Sequence, residues 1–332
     1  MRSGIVLLIM SLSVFVGPVG AQKWFDDFDS YAPGPLAAQS DWEEWPGSSG
    51  VDATVVTAPA PIFSTPNSVL IEGGLPGDDV VYNFANLAGG QPRTGQWIMS
   101  IKTFVDSDAT GTGYFIMLNR FPNFMNWSVQ VRFDSDADAL VSDGAGNPSL
   151  PLLEDQWVTF RVAIDLPRDR VDMFYGDQML VTGESWKNGL GGNGIQRMAA
   201  LDLYAGELDG DPVGTSGMWW DDATLWDDTG ASSNRAVVLD ALPNPVTAGQ
   251  VLKLTTMAPE LGGQSAALFT WSVNGIPFVK PIFYFSLDWS GRFQLPGPVP
   301  PGFAGLDVEF IAYVALPGGG VAASPPELVK LR

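Results

Sequence analysis

Two stretches far apart in the chain place aspartates among aromatic residues, where carboxylates can do chemistry. The first reads FDDFDSY (25–31) and the second WWDDATLW (219–226). Carboxylate oxygens are hard ligands of the kind that divalent cations such as Ca²⁺ take. The alternative is structural, because an aspartate beside aromatic residues also suits the solvent-facing half of an edge strand. The elements that position these stretches decide between the two.

A third acidic stretch, DSDADALVSD (134–143), begins like an EF-hand calcium loop, with Asp134, Asp136 and Asp138 at its first, third and fifth positions. The sixth position is Ala139, where the motif needs glycine, and the twelfth is Ala145, where it needs a bidentate glutamate. We interpret the stretch as a solvated acidic hairpin loop.

The residue types that are missing exclude several kinds of enzyme. The chain has no histidine and no cysteine, which removes the usual base of triad hydrolases and the usual zinc ligands. Glycoside hydrolysis survives, because it runs on two carboxylates about 5–10 Å apart. The 37 acidic residues against 17 basic ones argue against nucleic acid and anionic membranes as partners.

The N-terminus predicts export. MRSGIVLLIMSLSVFVGPVGAQ combines one arginine, an apolar run and small residues at Val19 and Ala21, as secretory signal peptides do. The apolar run is shorter than the roughly 20 residues that span a membrane, which disfavours an anchor. We expect residues 1–21 to be removed near Ala21. The mature chain is then secreted, as an extracellular, periplasmic or cell-surface protein without a transmembrane segment.

Short strands are the elements that position the candidate residues. From residue 79 to 226 the chain is a series of β-patterned runs separated by Gly, Asn, Asp and Pro. In WSVQVRF (127–133), period-2 alternation groups Trp127 with Val129 on one face. In WVTFRVAI (157–164), it points Val158 inward and Trp157 outward. About ten such runs without intervening helices predict an antiparallel β-sandwich.

Beyond this series the chain predicts a linker and a second domain. Residues 229–235 are small and polar, typical of a linker. The β-patterned runs in residues 236–332 fit a small immunoglobulin-like sandwich. Its acidic residues are widely separated, so we interpret it as an accessory domain without a catalytic set.

Residues 23–228 resemble the concanavalin A-like lectin/glucanase superfamily, in particular the laminin-G-like jelly-roll domains of secreted bacterial proteins. The segments that carry the resemblance are FDDFDSYAPGPLAAQSDWEEW, PNSVLI, YFIMLN, WSVQVRF, DQWVTFRVAIDL, ALDLYAG and WWDDATLW. The resemblance implies an all-β fold: a concanavalin A-like jelly-roll domain at 22–228, followed by the small β-sandwich.

The resemblance also implies that the first and last strands of the jelly roll pair, with a structural calcium near the domain ends. FDDFD and WWDD would then adjoin and supply oxygen ligands. Because neighbouring residues on a strand face opposite ways, only about half of them can reach one ion. The implied Ca²⁺ ligands are Asp26, Asp27, Asp29, Asp221 and Asp222.

The resemblance extends to enzymes, but their motifs are missing. Laminarinase-like members carry Glu-x-Asp-x-x-Glu on one strand, and no glutamate here starts that pattern. Polysaccharide lyases of similar fold usually need a histidine. We therefore predict that the chain is not an enzyme but a secreted carbohydrate-binding or adhesion protein, with a polysaccharide or glycoconjugate as partner. Two alternatives stay open: a glycan-active enzyme with an unrecognised site, and a structural envelope or matrix protein.

We expect the sugar-binding site on the outward faces of the strands. Hydrogen-bonding and aromatic side chains there suit the hydroxyls and the apolar ring face of a sugar. Taken singly, each fits an ordinary polar or packed strand residue better than a sugar contact. The candidate carbohydrate-binding residues are Asn119, Gln130, Arg132, Trp157, Arg161, Asp202 and Tyr204.

Overall fold

The computed structural model describes residues 21–37, 39–74, 76–206, 217–228, 237–258, 261–317 and 321–332. The predicted signal peptide, except Ala21, and the predicted linker lie outside these residues. Among the described helices, none has the length and apolar character needed to cross a membrane.

The larger of two sheets formed by the first 227 residues has nine strands. They are β1 (Ala21–Asp26), β2 (Gly34–Pro35), β4 (Thr54–Thr57), β5 (Asn67–Ile71), β7 (Gln96–Val105), β12 (Trp157–Asp165), β13 (Arg170–Tyr175), β14 (Gln178–Glu184) and β16 (Met218–Asp227). Their order is β14-β13-β12-β7-β16-β5-β4-β2, and β1 also pairs with β16. The expected pairing of the first and last strands of the domain is confirmed, with Asp26 opposite Ala223.

The second sheet has seven strands. They are β3 (Trp42–Glu44), β6 (Asp79–Asn83), β8 (Thr112–Arg120), β9 (Asn126–Asp134), β10 (Ala139–Ser142), β11 (Ser149–Pro151) and β15 (Ala200–Ala205). Their order is β11-β10-β9-β8-β15-β6-β3. A short 3-10 helix, Phe84–Asn86, follows β6.

The two sheets enclose one apolar core, as the period-2 pattern predicts. Val158, Phe160 and Val162 of β12 all point into it, and Phe160 meets Phe115 and Phe133 of the seven-stranded sheet edge-on. The predicted all-β jelly-roll sandwich is therefore confirmed.

The remaining strands form two smaller antiparallel sheets around a separate core. The first contains β17 (Val238–Leu242), β18 (Val251–Met257) and β21 (Arg292–Pro298). The second contains β19 (Ser265–Val273), β20 (Ile276–Ser286), β22 (Asp307–Ala315), β23 (Val321–Ala323) and β24 (Glu327–Lys330), with a 3-10 helix at Pro301–Phe303.

The C-terminal sheets pack on the outer face of the nine-stranded sheet. Ile98 and Phe174 of that sheet share a buried cluster with Val238 and Met257. One face of the jelly roll is thus covered, while the outer face of the seven-stranded sheet carries an open groove. The exact domain boundaries stay a prediction.

Candidate functional site

The groove on the outer face of the seven-stranded sheet has a volume of about 650 Å³. That volume is within the roughly 300–1,000 Å³ usual for small-ligand sites. Trp45 and Trp127 form an aromatic wall, and Gln130 lies on the polar side. Asp79 and Asp202 also line the groove and form its acidic centre.

Strand register brings these side chains together. Asp202 of β15 lies opposite Ile116 of β8, which in turn lies opposite Gln130 of β9. Two residues further along β15, Tyr204 lies opposite Asp79 of β6. Residues opposite one another share a sheet face, and diagonal pairs remain within reach. Asp79 and Asp202 are such a diagonal pair.

Asp79 and Asp202 form a carboxyl pair in hydrogen-bonding contact. Oδ1 of each accepts no N–H or O–H donor from the described residues, so the pair is satisfied only when it shares a proton. Burial raises the pKa of Asp79 to about 6. Burial, together with the charge of Asp79, raises the pKa of Asp202 well above its ordinary value. The proton that the pair shares is assigned to Asp202, because its burial is complete and the charge of Asp79 favours its protonated form.

The aromatic wall depends on an irregularity in β9. Trp45 and Trp127 stack with ring centroids 6.2 Å apart and an angle of 28°. The register between β8 and β9 shifts so that Ser128 is an extra residue, and such a bulge switches the sheet face on which the residues beyond it lie. Val129 points into the core while Trp127 lies on the outer face. The expectation that these two share a face is wrong.

Of the predicted sugar-binding residues, Gln130, Asp202 and Tyr204 line the groove. Gln130 and Asp202 are nonetheless buried, with 6% and 3% of their surfaces accessible, so their expected exposure is wrong. Beside them, Asp143 accepts hydrogen bonds of 2.7 Å from both Gln130 Nε2 and Arg132 Nε. Asn119 is fully buried and donates to Asn126 Oδ1 and Ser128 Oγ, so its expected exposure is wrong. Whether these residues bind sugar stays a prediction.

The other two predicted residues, Trp157 and Arg161, lie far from the groove, on the nine-stranded sheet. They point away from the core as expected, but the expectation that they are exposed is wrong: only 5% and 3% of their surfaces are accessible. Arg161 forms buried ion pairs with Asp240 and Glu327 of the C-terminal sheets. The face that alternation predicted to be outward is covered by the C-terminal sheets.

The implied calcium ligands adjoin but do not gather around one point. Asp26 accepts hydrogen bonds from the Tyr31 hydroxyl (2.6 Å) and Trp42 Nε1 (2.8 Å). Asp221 accepts from the backbone of Phe63 and Ser64, at 2.9 Å each.

The rest of the implied set is also engaged. Asp222 accepts from the Ser64 hydroxyl, Asp27 from the N–H of Asp29, and Asp29 from the N–H of Asn67. Within the described ranges, no three Asp, Glu, His or Cys side chains are arranged to hold a metal. The residues do not fit the implied calcium ion, because no three of their carboxyl groups converge and protein donors engage at least one oxygen of each.

Among the groove residues that sequence reasoning missed are Trp45, Asp79 and Trp127. Asp79 opens the run DVVYN, and alternation sets it on the face opposite the core residue Val80. That signal was available in the sequence. The partnership of Asp79 with Asp202 was not, because it depends on the pairing of two strands more than a hundred residues apart.

No protein-family model and no curated protein sequence matches the chain. Several solved structures do. A GH131 β-glucanase catalytic domain from Podospora anserina matches at 14% identity and TM-score 0.40, covering 62% of this chain and 96% of its own. A non-specific endo-β-1,3(4)-glucanase from family GH16 matches at 11% identity and TM-score 0.39, covering 62% and 91%. A sialidase matches at 9% identity and TM-score 0.39, covering 62% of this chain but only 18% of the sialidase.

These matches contradict our prediction that the chain is not an enzyme. The matched structures are glucanases and a sialidase, and a further match is named as a carbohydrate esterase. The prediction of a noncatalytic protein is therefore wrong. The TM-scores of these matches lie below 0.5, so none of the activities named for those structures is transferred to this chain.

Proposed function

We propose that the protein is a carbohydrate-active hydrolase that uses Asp79 and Asp202 as a proton-sharing pair. The observation that carries this proposal is the contact of the two carboxyl groups at the acidic centre of an aromatic-lined groove. Environments that push the pKa values of two carboxyl groups away from the ordinary range are typical of acid–base catalysis. Trp45 and Trp127 offer ring faces on which the apolar face of a sugar can stack.

The roles follow from where the proton is held. Asp202, which holds the shared proton, donates it to an oxygen of the scissile bond. Asp79, ionised above about pH 6, takes a proton from an attacking water. The pair ends the reaction with one proton, as it began, so it needs no cofactor to be regenerated.

The contact between the two carboxyl groups selects the kind of bond. Glycosidases set their carboxylates about 5–10 Å apart, because attack and departure occur on opposite sides of the sugar carbon. A touching pair acts from one side. It suits attack on a carbonyl carbon, where water adds beside the oxygen that receives the proton, as at the paired aspartates of aspartic proteases. Ester groups on a polysaccharide are therefore the substrates that the geometry favours.

The test is acid release from an acetylated xylan, with the deacetylated polymer as control. We expect wild-type protein to release acetate, and Asp202→Asn and Asp79→Asn each to lower the rate by at least about a hundredfold, as loss of a general acid or base does. Asp136→Asn, at an exposed aspartate in the turn between β9 and β10 and outside the groove, is the matched control. Release of reducing ends would replace the ester assignment with glycosidic cleavage. Failure to release either product from a panel of acylated polysaccharides would defeat the proposal.

A further inference from the structure

Three arginines converge beside the groove, and backbone contacts fix two of them. Nε of Arg197 donates to the carbonyl oxygen of Asn119, 3.3 Å away. Arg120 is the next residue of β8 and ends that strand. Arg197 and Arg120 therefore lie side by side, although they are far apart in the sequence.

Arg93 completes the cluster from a third segment. The N–H of Met198 donates to the carbonyl oxygen of Pro92, at 2.8 Å. Arg93 directly follows Pro92 and Arg197 directly precedes Met198, so the two arginines flank this backbone contact. Burial and the charges of Arg93 and Arg120 lower the pKa of Arg197, as expected for guanidinium groups held close together.

None of the three arginines has a carboxylate partner among the described residues. This is unusual in a chain with net charge −20, and Arg132, further along the outer face on β9, does pair with Asp143. Arg120 Nη2 donates only to the backbone carbonyl of Asn193, at 3.2 Å. Its Nε is buried and has no hydrogen-bond acceptor. The cluster therefore carries positive charge that no carboxylate of the described residues balances, and an anionic ligand would supply that balance.

The cluster adjoins the groove. Leu190 and Gly191 line the groove, and the same loop supplies the Asn193 carbonyl that contacts Arg120. Along β8, Arg120 lies four residues beyond the groove residue Ile116, a distance of about 13 Å at strand spacing. An anion at the cluster would therefore belong to a sugar unit near the one at the acidic pair, not to the same one.

We propose that Arg93, Arg120 and Arg197 bind an anionic group of the glycan in the groove, so that the substrate class is an acidic polysaccharide. Guanidinium groups bind planar carboxylates and other oxyanions with paired hydrogen bonds. A uronate carboxylate and a sulfate ester share this chemistry. The inference rests on the proposed function only in taking the groove as the glycan site.

Equilibrium binding tests it without turnover, in the Asp202→Asn background. The probes are polygalacturonate against its methyl-esterified form, and dextran sulfate against dextran. We expect at least one anionic polymer to bind roughly tenfold or more tightly than its neutral counterpart, and Arg93→Ala to remove most of that preference. Arg93 is exposed, so the variant should fold, and its Tm is checked. Arg332→Ala, a distant exposed arginine paired with Asp307, is the matched control and should change nothing.

The outcomes separate this inference from the proposed function. An Arg93-dependent preference for one acidic polymer, in a protein whose wild type hydrolyses nothing, would support the anion site and defeat the hydrolase. Hydrolysis of neutral polymers, together with equal binding of acidic and neutral forms, would support the hydrolase and defeat the anion site. If only one anionic polymer binds more tightly than its neutral counterpart, the inference is supported and that polymer identifies the anion, a carboxylate or a sulfate ester. Equal binding within both pairs, binding of no probe, or a preference unaffected by Arg93→Ala overturns the inference.

Discussion

The two outer faces of the jelly roll bury carboxyl groups in opposite ways. On the nine-stranded sheet, Glu327 and Asp240 reach across from the C-terminal sheets to Arg161 and Lys102, at 2.9 Å for Lys102–Glu327 and for Arg161–Asp240. On the seven-stranded sheet, Asp202 meets only another acid, Asp79, and no described cation pairs with either.

This difference separates a packing role from a chemical one. A buried carboxylate that meets a guanidinium and an ammonium group keeps its charge and holds two elements in register. A buried carboxyl group that meets its own kind destabilises the folded state unless it takes up a proton. A destabilising pair of buried carboxyl groups is expected to be kept when it serves a function. We therefore assign the catalytic chemistry to the open outer face of the seven-stranded sheet.

The largest expected effect tests the covered face. Arg161→Ala leaves two buried carboxylates without their main cation, so we expect the free energy of unfolding to fall by about 3–5 kcal/mol. Urea denaturation measures the loss. Arg168→Ala, an exposed arginine 3.8 Å from Asp165 on the same sheet, is the control, with an expected change within about 0.5 kcal/mol. A loss below about 1 kcal/mol for Arg161→Ala would show that the buried pairs do not hold the faces together.

The sequence predicted the strands well because their signal is local. Alternation in WVTFRVAI placed Val158 and Phe160 in the core and Trp157 on the opposite face, as the structure has them. What alternation cannot show is whether a second domain covers that opposite face. Trp157 and Arg161 were therefore placed on the correct side of the strand but in the wrong environment.

The site was only partly predictable, since it depends on non-local pairing and on one irregular residue. Asp202 and Tyr204 followed from local alternation in ALDLYAG. Trp127 did not, because the extra residue Ser128 in β9 reverses its face. Asp79 became informative only after β6 was paired with β15.

The second-largest expected change in stability concerns the paired first and last strands of the jelly roll. A cation from the C-terminal sheets lies near the aspartates of these strands. Lys330 Nζ donates to the carbonyl oxygen of Phe63 at 2.7 Å, and its charge favours the ionised form of Asp222, against the burial that raises the pKa of Asp222. Lys330→Met removes this cation, and we expect the free energy of unfolding to fall by about 2–3 kcal/mol in urea denaturation. Lys280→Met, on the exposed strand β20, should be nearly neutral. Equal effects of the two variants would contradict a role for Lys330 at the domain ends.

On the open outer face of the seven-stranded sheet, removing a charged side chain should raise the free energy of unfolding instead of lowering it. Burial raises the pKa of Asp79 to about 6, above the ordinary aspartate value, so the folded state holds this proton more tightly than the unfolded state. The contribution of Asp79 to stability therefore falls as pH rises from about 4 to about 6 and stays low above that. Asp79→Asn removes the charge and supplies an N–H donor to Asp202.

We expect Asp79→Asn to raise the free energy of unfolding by about 1–2 kcal/mol at pH 8, within the range usual for relieving an unfavourable buried group, and by much less at pH 4. Urea denaturation at both pH values measures the difference. Asp143→Asn, which breaks the contacts to Gln130 and Arg132, should destabilise instead. A stabilisation by Asp79→Asn that is equal at both pH values would show that its charge is not the cause.

The smallest expected effect is that of chelation. Calcium bound at a hundredfold excess over its dissociation constant would add about 2.7 kcal/mol, and removing it would lower the Tm of a domain this size by roughly 5–10 °C. Because protein N–H and O–H groups already occupy the oxygens of Asp26 and Asp221, we expect EDTA to leave the Tm unchanged. Asp221→Asn should alter stability equally with and without added calcium. A drop in Tm on chelation that Asp221→Asn abolishes would restore the calcium site, and the aspartates at the domain ends would then serve a metal instead of Ser64.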